Sequence, residues 1–123
     1  MMRHGLWPAL LLIACGAAAE PVTVVVISDL NGSYGQIGLH PRVRQAVARI
    51  IEDPPDLVIS TGDMIAVQQP QPKLSRQQLH DMWTEFHRTV TEPLAAADIP
   101  FAITPGNHDA SAYPSFQHER ETY

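Results

Sequence analysis

Three short apolar runs constrain the fold of this 123-residue chain more than any other feature of its sequence. They cover residues 22–28, 56–60 and 99–103, and the first is β-branched almost throughout. Continuous apolar runs of this length are typical of strands that are buried on both faces of a parallel sheet. Because a longer segment with helical periodicity separates each run from the next, the sequence predicts an α/β fold built from βαβ units.

The two intervening segments carry helix signals at their ends. In the first, Pro41 suits the opening turn of a helix and Pro54-Pro55 stops it. In the second, Ser75 and Gln78 form a capping box, and the apolar face ends before Pro93. Three parallel strands with two crossover helices amount to half of a layered domain. We therefore expect an exposed sheet edge and a tendency to aggregate.

Each predicted strand ends in a turn that carries polar side chains. These turns are Asp29-Leu30-Asn31-Gly32, Thr61-Gly62-Asp63 and Gly106-Asn107-His108-Asp109. Ligands of open α/β sheets bind outside the carboxyl ends of the strands. The side chains there that suit divalent cations are Asp29, Asp63, Asn107 and His108. Each also has a plain structural interpretation, as an Asx turn, a cap or a polar loop.

The charge of the chain argues against a nucleic-acid partner. Thirteen acidic and eight basic residues give a formal net charge of −5, and no basic patch is interleaved with aromatic residues. An acidic domain repels phosphate groups unless a cation lies in the site. A metal ion in the site would supply the positive charge that a phosphate ligand needs.

The three strand-end motifs resemble those of the calcineurin-like metallophosphoesterases, from Val22 to about Asp109. The resemblance implies an α/β/β/α sandwich of two sheets, of which this chain would be the N-terminal half. It also implies a hydrolase of phosphomonoesters or phosphodiesters that uses two divalent metal ions, drawn from Mn²⁺, Fe²⁺ or Fe³⁺, Zn²⁺ and Mg²⁺. Phosphate-ester substrates are the partners so implied, and the oligomeric state stays open.

The same resemblance assigns a role to each matching residue. Asp29 would ligate the first metal, Asp63 would bridge both metals, and Asn107 would bind the second. His108 would lie beside the metals as the acid or as a transition-state stabiliser, oriented by Asp109. Physical chemistry is consistent with these roles, because two metals about 3.5–4 Å apart can clamp the attacking and leaving oxygens of a phosphoryl group.

The chain departs from the family pattern in three places. Asn31 stands where the family usually has a histidine ligand, and its amide oxygen is a weaker candidate ligand. Ala66 stands where a second aspartate often follows. The later histidines of the family, including a Gly-His-x-His motif, have no counterpart up to Tyr123. Residues 20–123 are therefore expected to be an incomplete phosphoesterase domain that is inactive by itself.

Two other classes of function stay open at this point. The first is a metal- or phosphate-binding protein of the same fold that has lost turnover, which Asn31 favours. The second is a structural α/β domain of the cell envelope whose strand-end loops are merely polar. Two bound metals and metal-dependent ester cleavage would distinguish the hydrolase from both.

The first 19 residues resemble a secretory signal peptide. A short basic start precedes the apolar run 6–14, and Ala17-Ala18-Ala19 fits a cleavage site. Nine apolar positions are too few to span a bilayer, and a buried N-terminal helix is the plain alternative. Cys15, the only cysteine, lies in a segment that resembles a lipoprotein box. The sequence thus predicts a periplasmic or secreted protein, with a lipid anchor at Cys15 as the variant.

We predict that the chain is exported and cleaved, and the intact mass of the product in the cell envelope tests this. A chain that starts at Glu20 supports ordinary signal removal, and a diacylated Cys15 supports a lipid anchor. An uncleaved chain that starts at Met1 or Met2 and stays in the cytoplasm would contradict both forms of the prediction.

Overall fold

A computed structural model describes residues 20–121. Its three strands form one parallel sheet in the order β1–β2–β3, with β1 at Val24–Ile27, β2 at Leu57–Ser60 and β3 at Phe101–Ile103. The predicted α/β class is therefore confirmed, although each strand is shorter than its apolar run. The predicted signal peptide, including Cys15, lies outside the described residues. Between residues 20 and 121, no helix is long and apolar enough to cross a membrane.

Helices connect the strands as the sequence predicts. The side chain of His40 accepts a hydrogen bond from Arg42 N–H and caps the first helix, and Pro41 opens it. Ser75 and Gln78 form the predicted capping box of the second helix, with both reciprocal hydrogen bonds present. The α-helices of residues 20–121 are α1 at Pro41–Glu52, α2 at Arg76–Phe86, α3 at Glu92–Ala96 and α4 at Gln117–Arg120.

The helix expected to end before Pro93 instead continues past it. A π-helical turn at His87–Thr91 joins α2 to α3, and Glu92 N–H donates to the carbonyl of His87. Proline has no N–H group, so it disrupts the interior of an α-helix but is tolerated in the first turn. The wider turn places Pro93 at the start of α3, so the chain stays helical across it.

The helices bury their apolar side chains against one face of the sheet. Val58 of the central strand β2 is fully buried, and Val25, Ile27 and Phe101 of the same face pack against the core. The helical residues that are fully buried in this core are Leu79, Met82, Phe86, Val90 and Leu94. This one-sided core fixes the orientation of the sheet edge at which the polar turns lie.

The opposite face of the sheet is largely uncovered in the described part of the chain. Val24 is 44% exposed and Val26 is 61% exposed. Val26 lies beside Ile59, and Ile59 lies beside Ala102, so these side chains share one face. The prediction that the strands are buried on both faces is therefore wrong for residues 20–121. A continuous apolar run shows that two faces are apolar, and it carries no information on what covers each.

The segment after β3 is tied to the loop before α2 through Lys73. The Lys73 Nζ atom donates to Ser115 O at 2.6 Å and lies 3.2 Å from Glu119 Oε1. It also lies 3.7 Å above the centre of the Phe116 ring. Glu119 is fully buried, so this ion pair anchors α4 against the domain.

Val26→Thr is expected to reduce aggregation and to change the free energy of unfolding by less than about 0.5 kcal/mol, because Val26 is exposed. The matched control is Val58→Thr, the same substitution on the covered face. A hydroxyl buried there without a partner costs about 1–3 kcal/mol. Urea unfolding and light scattering measure both effects. Equal destabilisation by the two substitutions would show that the Val26 face is covered.

Candidate functional site

The loop that follows β2 connects the polar turns of the two outer strands. On one side, Asn31 N–H donates to Asp63 O at 3.0 Å. On the other side, His108 N–H donates to Asp63 Oδ1 at 3.0 Å, and Val67 N–H donates to His108 O at 3.0 Å. The structure therefore brings Asn31, Asp63 and His108 together at the carboxyl edge of the sheet.

Two aspartates at this edge have left-handed backbone conformations. Asp29 has φ of 55° just after β1, and Asp63 has φ of 57° just after β2. Such conformations are uncommon for residues other than glycine and often occur at functional sites. Asp98, at the opposite end of β3, has φ of 55° as well, so this feature does not by itself define a site. Asp98 can therefore serve as a control for substitutions at Asp63.

Gly62 and Gly106 let the central loop approach the loop after β3. Gly62 has φ of 115°, and a Cβ atom at this position would overlap the backbone of Gly106. A Cβ atom at Gly106 would overlap the carboxylate of Asp63. Both positions therefore require glycine, because any side chain would separate the two loops or displace Asp63.

The imidazole of His108 is held by two neighbouring side chains. Its Nδ1 atom lies 2.9 Å from Nδ2 of Asn31. The ring of Tyr34 lies against it, with 5.4 Å between ring centroids and 42° between ring planes. Together with the hydrogen bond from His108 N–H to Asp63, these contacts restrict both the backbone and the ring of His108.

Asp109 has different partners from those expected. Its carboxylate is fully buried, with Oδ1 accepting from Ile65 N–H at 2.8 Å and Oδ2 accepting from Gly106 N–H at 2.9 Å. Burial raises the pKa of Asp109, and these backbone N–H donors act in the opposite direction. The expectation that Asp109 orients His108 is thus corrected. Both oxygens bind the backbone of the loops, and the partner of the His108 ring is Asn31.

Asp29 and Asn107, the other two predicted metal ligands, have exposed side chains. Oδ2 of Asp29 accepts a hydrogen bond from Ser28 Oγ at 2.5 Å. The Asn107 main chain is held by Gln68, whose side-chain amide donates to Asn107 O. Both residues therefore have fixed neighbours and remain accessible to a ligand.

The donor atoms at this edge suit a divalent cation in kind. Carboxylate and amide oxygens bind hard cations, and the predicted ligand set offers the carboxylates of Asp29 and Asp63 with the amides of Asn31 and Asn107. However, no three His, Cys, Asp or Glu side chains among residues 20–121 are grouped so that they could hold a metal ion. Three or four protein ligands per ion are usual, so these donors fall short of two complete sites.

Two features of the site were missed by the sequence reasoning. Tyr34 lies in the loop after β1, and the aromatic side chain beside the predicted turn was the available signal. The segment 64–67 is almost fully buried, although it directly follows the polar turn at Asp63. Its four consecutive apolar residues were the signal for that burial.

A parallel α/β sheet with carboxylate, amide and imidazole groups along its carboxyl edge defines an α/β protein with its ligand site at the strand ends. A family model described as calcineurin-like phosphoesterase matches residues 22–123. The chain belongs to this family, as the strand-end motifs predicted. The family generally depends on divalent metal ions and acts on phosphate esters. No curated protein matches the chain.

Asp109→Asn is expected to lower the free energy of unfolding by about 1–3 kcal/mol. The amide nitrogen would face a backbone N–H of Ile65 or Gly106, which leaves a buried donor without an acceptor. Asp98→Asn, the same substitution at an exposed aspartate, is the matched control and should change little. Urea unfolding measures both variants. Unchanged stability in Asp109→Asn would contradict the structural role assigned to this carboxylate.

Proposed function

We propose that the protein hydrolyses phosphate monoesters or diesters with the help of two divalent metal ions at the strand-end loops. The observation that carries this proposal is the meeting of Asp63 with Asn31 and His108 at the carboxyl edge of the sheet. Membership of the calcineurin-like phosphoesterase family supplies the reaction class. The residues supply the division of roles.

Asp63 is the proposed bridging ligand. It lies on the central loop, and its Oδ1 atom accepts the N–H of His108, which fixes the carboxylate relative to the loop after β3. Within the described chain its Oδ2 atom makes no hydrogen bond, and this oxygen is the one we assign to the cations. Asp29 and Asn107 would then each bind one cation, with the amide oxygen of Asn31 as a weaker donor.

His108 is the proposed group that acts on the substrate. Its ring is held between Asn31 and Tyr34, so it presents one fixed edge to a bound ester. The chemistry that divalent cations supply when bound is polarisation of the phosphoryl group and activation of water. His108 would add a hydrogen bond to the oxygen on which charge develops.

Residues 20–121 hold too few ligand side chains for two complete metal sites, and this limits the activity that we propose for the chain alone. We propose that further ligands come from outside these residues, or from a second copy of the chain. The chain by itself would then bind metal weakly and would not turn over substrate. We further propose an extracytoplasmic location, supported by the signal-like pattern of residues 1–19.

A metal- or phosphate-binding protein without turnover is the second candidate function. The contact of Asn31 with His108 favours this candidate. Asn31 stands where the family usually has a metal ligand, and here its side chain is also hydrogen-bonded to the His108 ring. This candidate shares the metal ligands of the first and differs only in catalysis. Ester cleavage is therefore the measurement that separates the two.

We expect Mn²⁺ to raise the thermal stability of the chain only at high concentration, since stabilisation grows with the ratio of free ligand to Kd. Asp63→Asn should abolish most of this effect, because it removes the negative charge between two dications. His108→Ala should retain it, because His108 is not assigned as a ligand. Thermal unfolding against Mn²⁺ concentration measures all three proteins, with Asp98→Asn as the control.

Cleavage of an activated aryl phosphate ester by the complete gene product, with Mn²⁺, completes this experiment. Turnover that Asp63→Asn and His108→Ala both lose supports the hydrolase, and metal binding without turnover supports the second candidate. Equal loss of metal in the two variants would show that the roles are wrongly assigned. Clear turnover by residues 20–123 alone would contradict the proposed need for further ligands.

A further inference from the structure

Two interactions hold the His108 ring, a third holds its backbone, and one ring nitrogen is left over. The Nδ1 atom of His108 lies 2.9 Å from Asn31 Nδ2, the ring lies against Tyr34, and the backbone N–H of His108 donates to Asp63 Oδ1. Its Nε2 atom makes no hydrogen bond within residues 20–121. The ring is therefore presented with Nδ1 occupied and Nε2 accessible.

The chemistry of the Asn31 contact determines which ring nitrogen carries the proton. An amide NH₂ group only donates, so Nδ1 of His108 must accept through its lone pair. The proton of the neutral imidazole then lies on Nε2. We infer that Asn31 is a positioning residue that holds His108 as the Nε2–H tautomer and leaves Nε2–H as a hydrogen-bond donor.

Asn31 is itself held by the backbone that holds His108. Its N–H donates to Asp63 O at 3.0 Å, and Gly35 in the same loop donates to Ala66 O at 2.9 Å. The residues on both sides of the contact are thus attached to the loop at 63–67. Asp109 does not compete for Nδ1, because its two oxygens accept backbone N–H groups.

The tautomer has a catalytic consequence that rests on the proposed function. A neutral imidazole with Nε2–H can donate a hydrogen bond to a phosphoryl or leaving oxygen in the transition state while keeping its proton. Of the two roles that the family resemblance implies for His108, acid and transition-state stabiliser, the contact with Asn31 selects the stabiliser. The tautomer itself does not depend on any activity.

Nuclear magnetic resonance of the ¹⁵N-labelled, metal-free chain tests the tautomer directly. In mildly alkaline buffer, where an unperturbed imidazole is neutral, long-range ¹H–¹⁵N correlations show which ring nitrogen carries the proton. His108→Ala assigns the signals. His40 is an internal reference, since its Nδ1 atom accepts from a backbone N–H and so has the Nε2–H form. We expect His108 to show the same pattern as His40.

Asn31→Asp should reverse this pattern, because a carboxylate only accepts and so places a proton on Nδ1. Asn107→Asp adds the same charge at the residue next to His108, whose side chain makes no hydrogen bond to Nδ1 within residues 20–121, and should leave the pattern unchanged. If the His40 signal shows that Asn31→Asp does not fold, Asn31→Leu replaces it and should give a mixture of tautomers.

A native Nδ1–H form would overturn the inference, and so would a pattern that no substitution of Asn31 changes. Both results are obtained without metal or substrate. A failure of this inference is therefore distinguishable from a failure of the proposed hydrolase, which is decided by ester cleavage.

Discussion

The hydrogen bonds made by the backbone of residues 63–67 hold the candidate site together. Asp63 O accepts from the loop after β1, while Val67 N–H and Ile65 N–H donate to His108 O and Asp109 Oδ1 of the loop after β3. Because residues 64–67 of this segment are nearly fully buried, the segment cannot move without disturbing the core. The positions of the polar side chains on both outer strands thus depend on one short segment beside the central strand.

Much of this arrangement follows from local sequence. Pro41 and the Ser75 capping box mark helix starts, and glycine–aspartate turns mark where strands end, because backbone conformation is governed by neighbouring residues. Asn31 and His108, in contrast, are 77 positions apart, and their contact depends on how two loops pack. Family resemblance suggested Asp109 as the partner of His108, and only the described hydrogen bonds could show otherwise.

The uncovered sheet face has a similar origin. The strands have the apolar composition of strands that are buried on both sides. In residues 20–121, however, the helices cover the other face and leave exposed the one that carries Val24, Val26 and Ile59. The composition of a strand indicates which of its faces are apolar, but it does not indicate whether another layer covers them. The metal ligands give a second example of the same limit. Family membership indicates the reaction class, but residues 20–121 hold fewer candidate ligands than two metal sites need.

The side chain beside His108 is an amide, and this affects the electrostatics of the site. An amide gains and loses no proton over the ordinary pH range, so Asn31 keeps its Nδ2 donor at every pH at which the imidazole of His108 is neutral. It also contributes no net charge. In a chain that already carries thirteen acidic residues, a carboxylate there would repel an anionic ester. The amide would orient the imidazole and leave the local potential to the proposed cations.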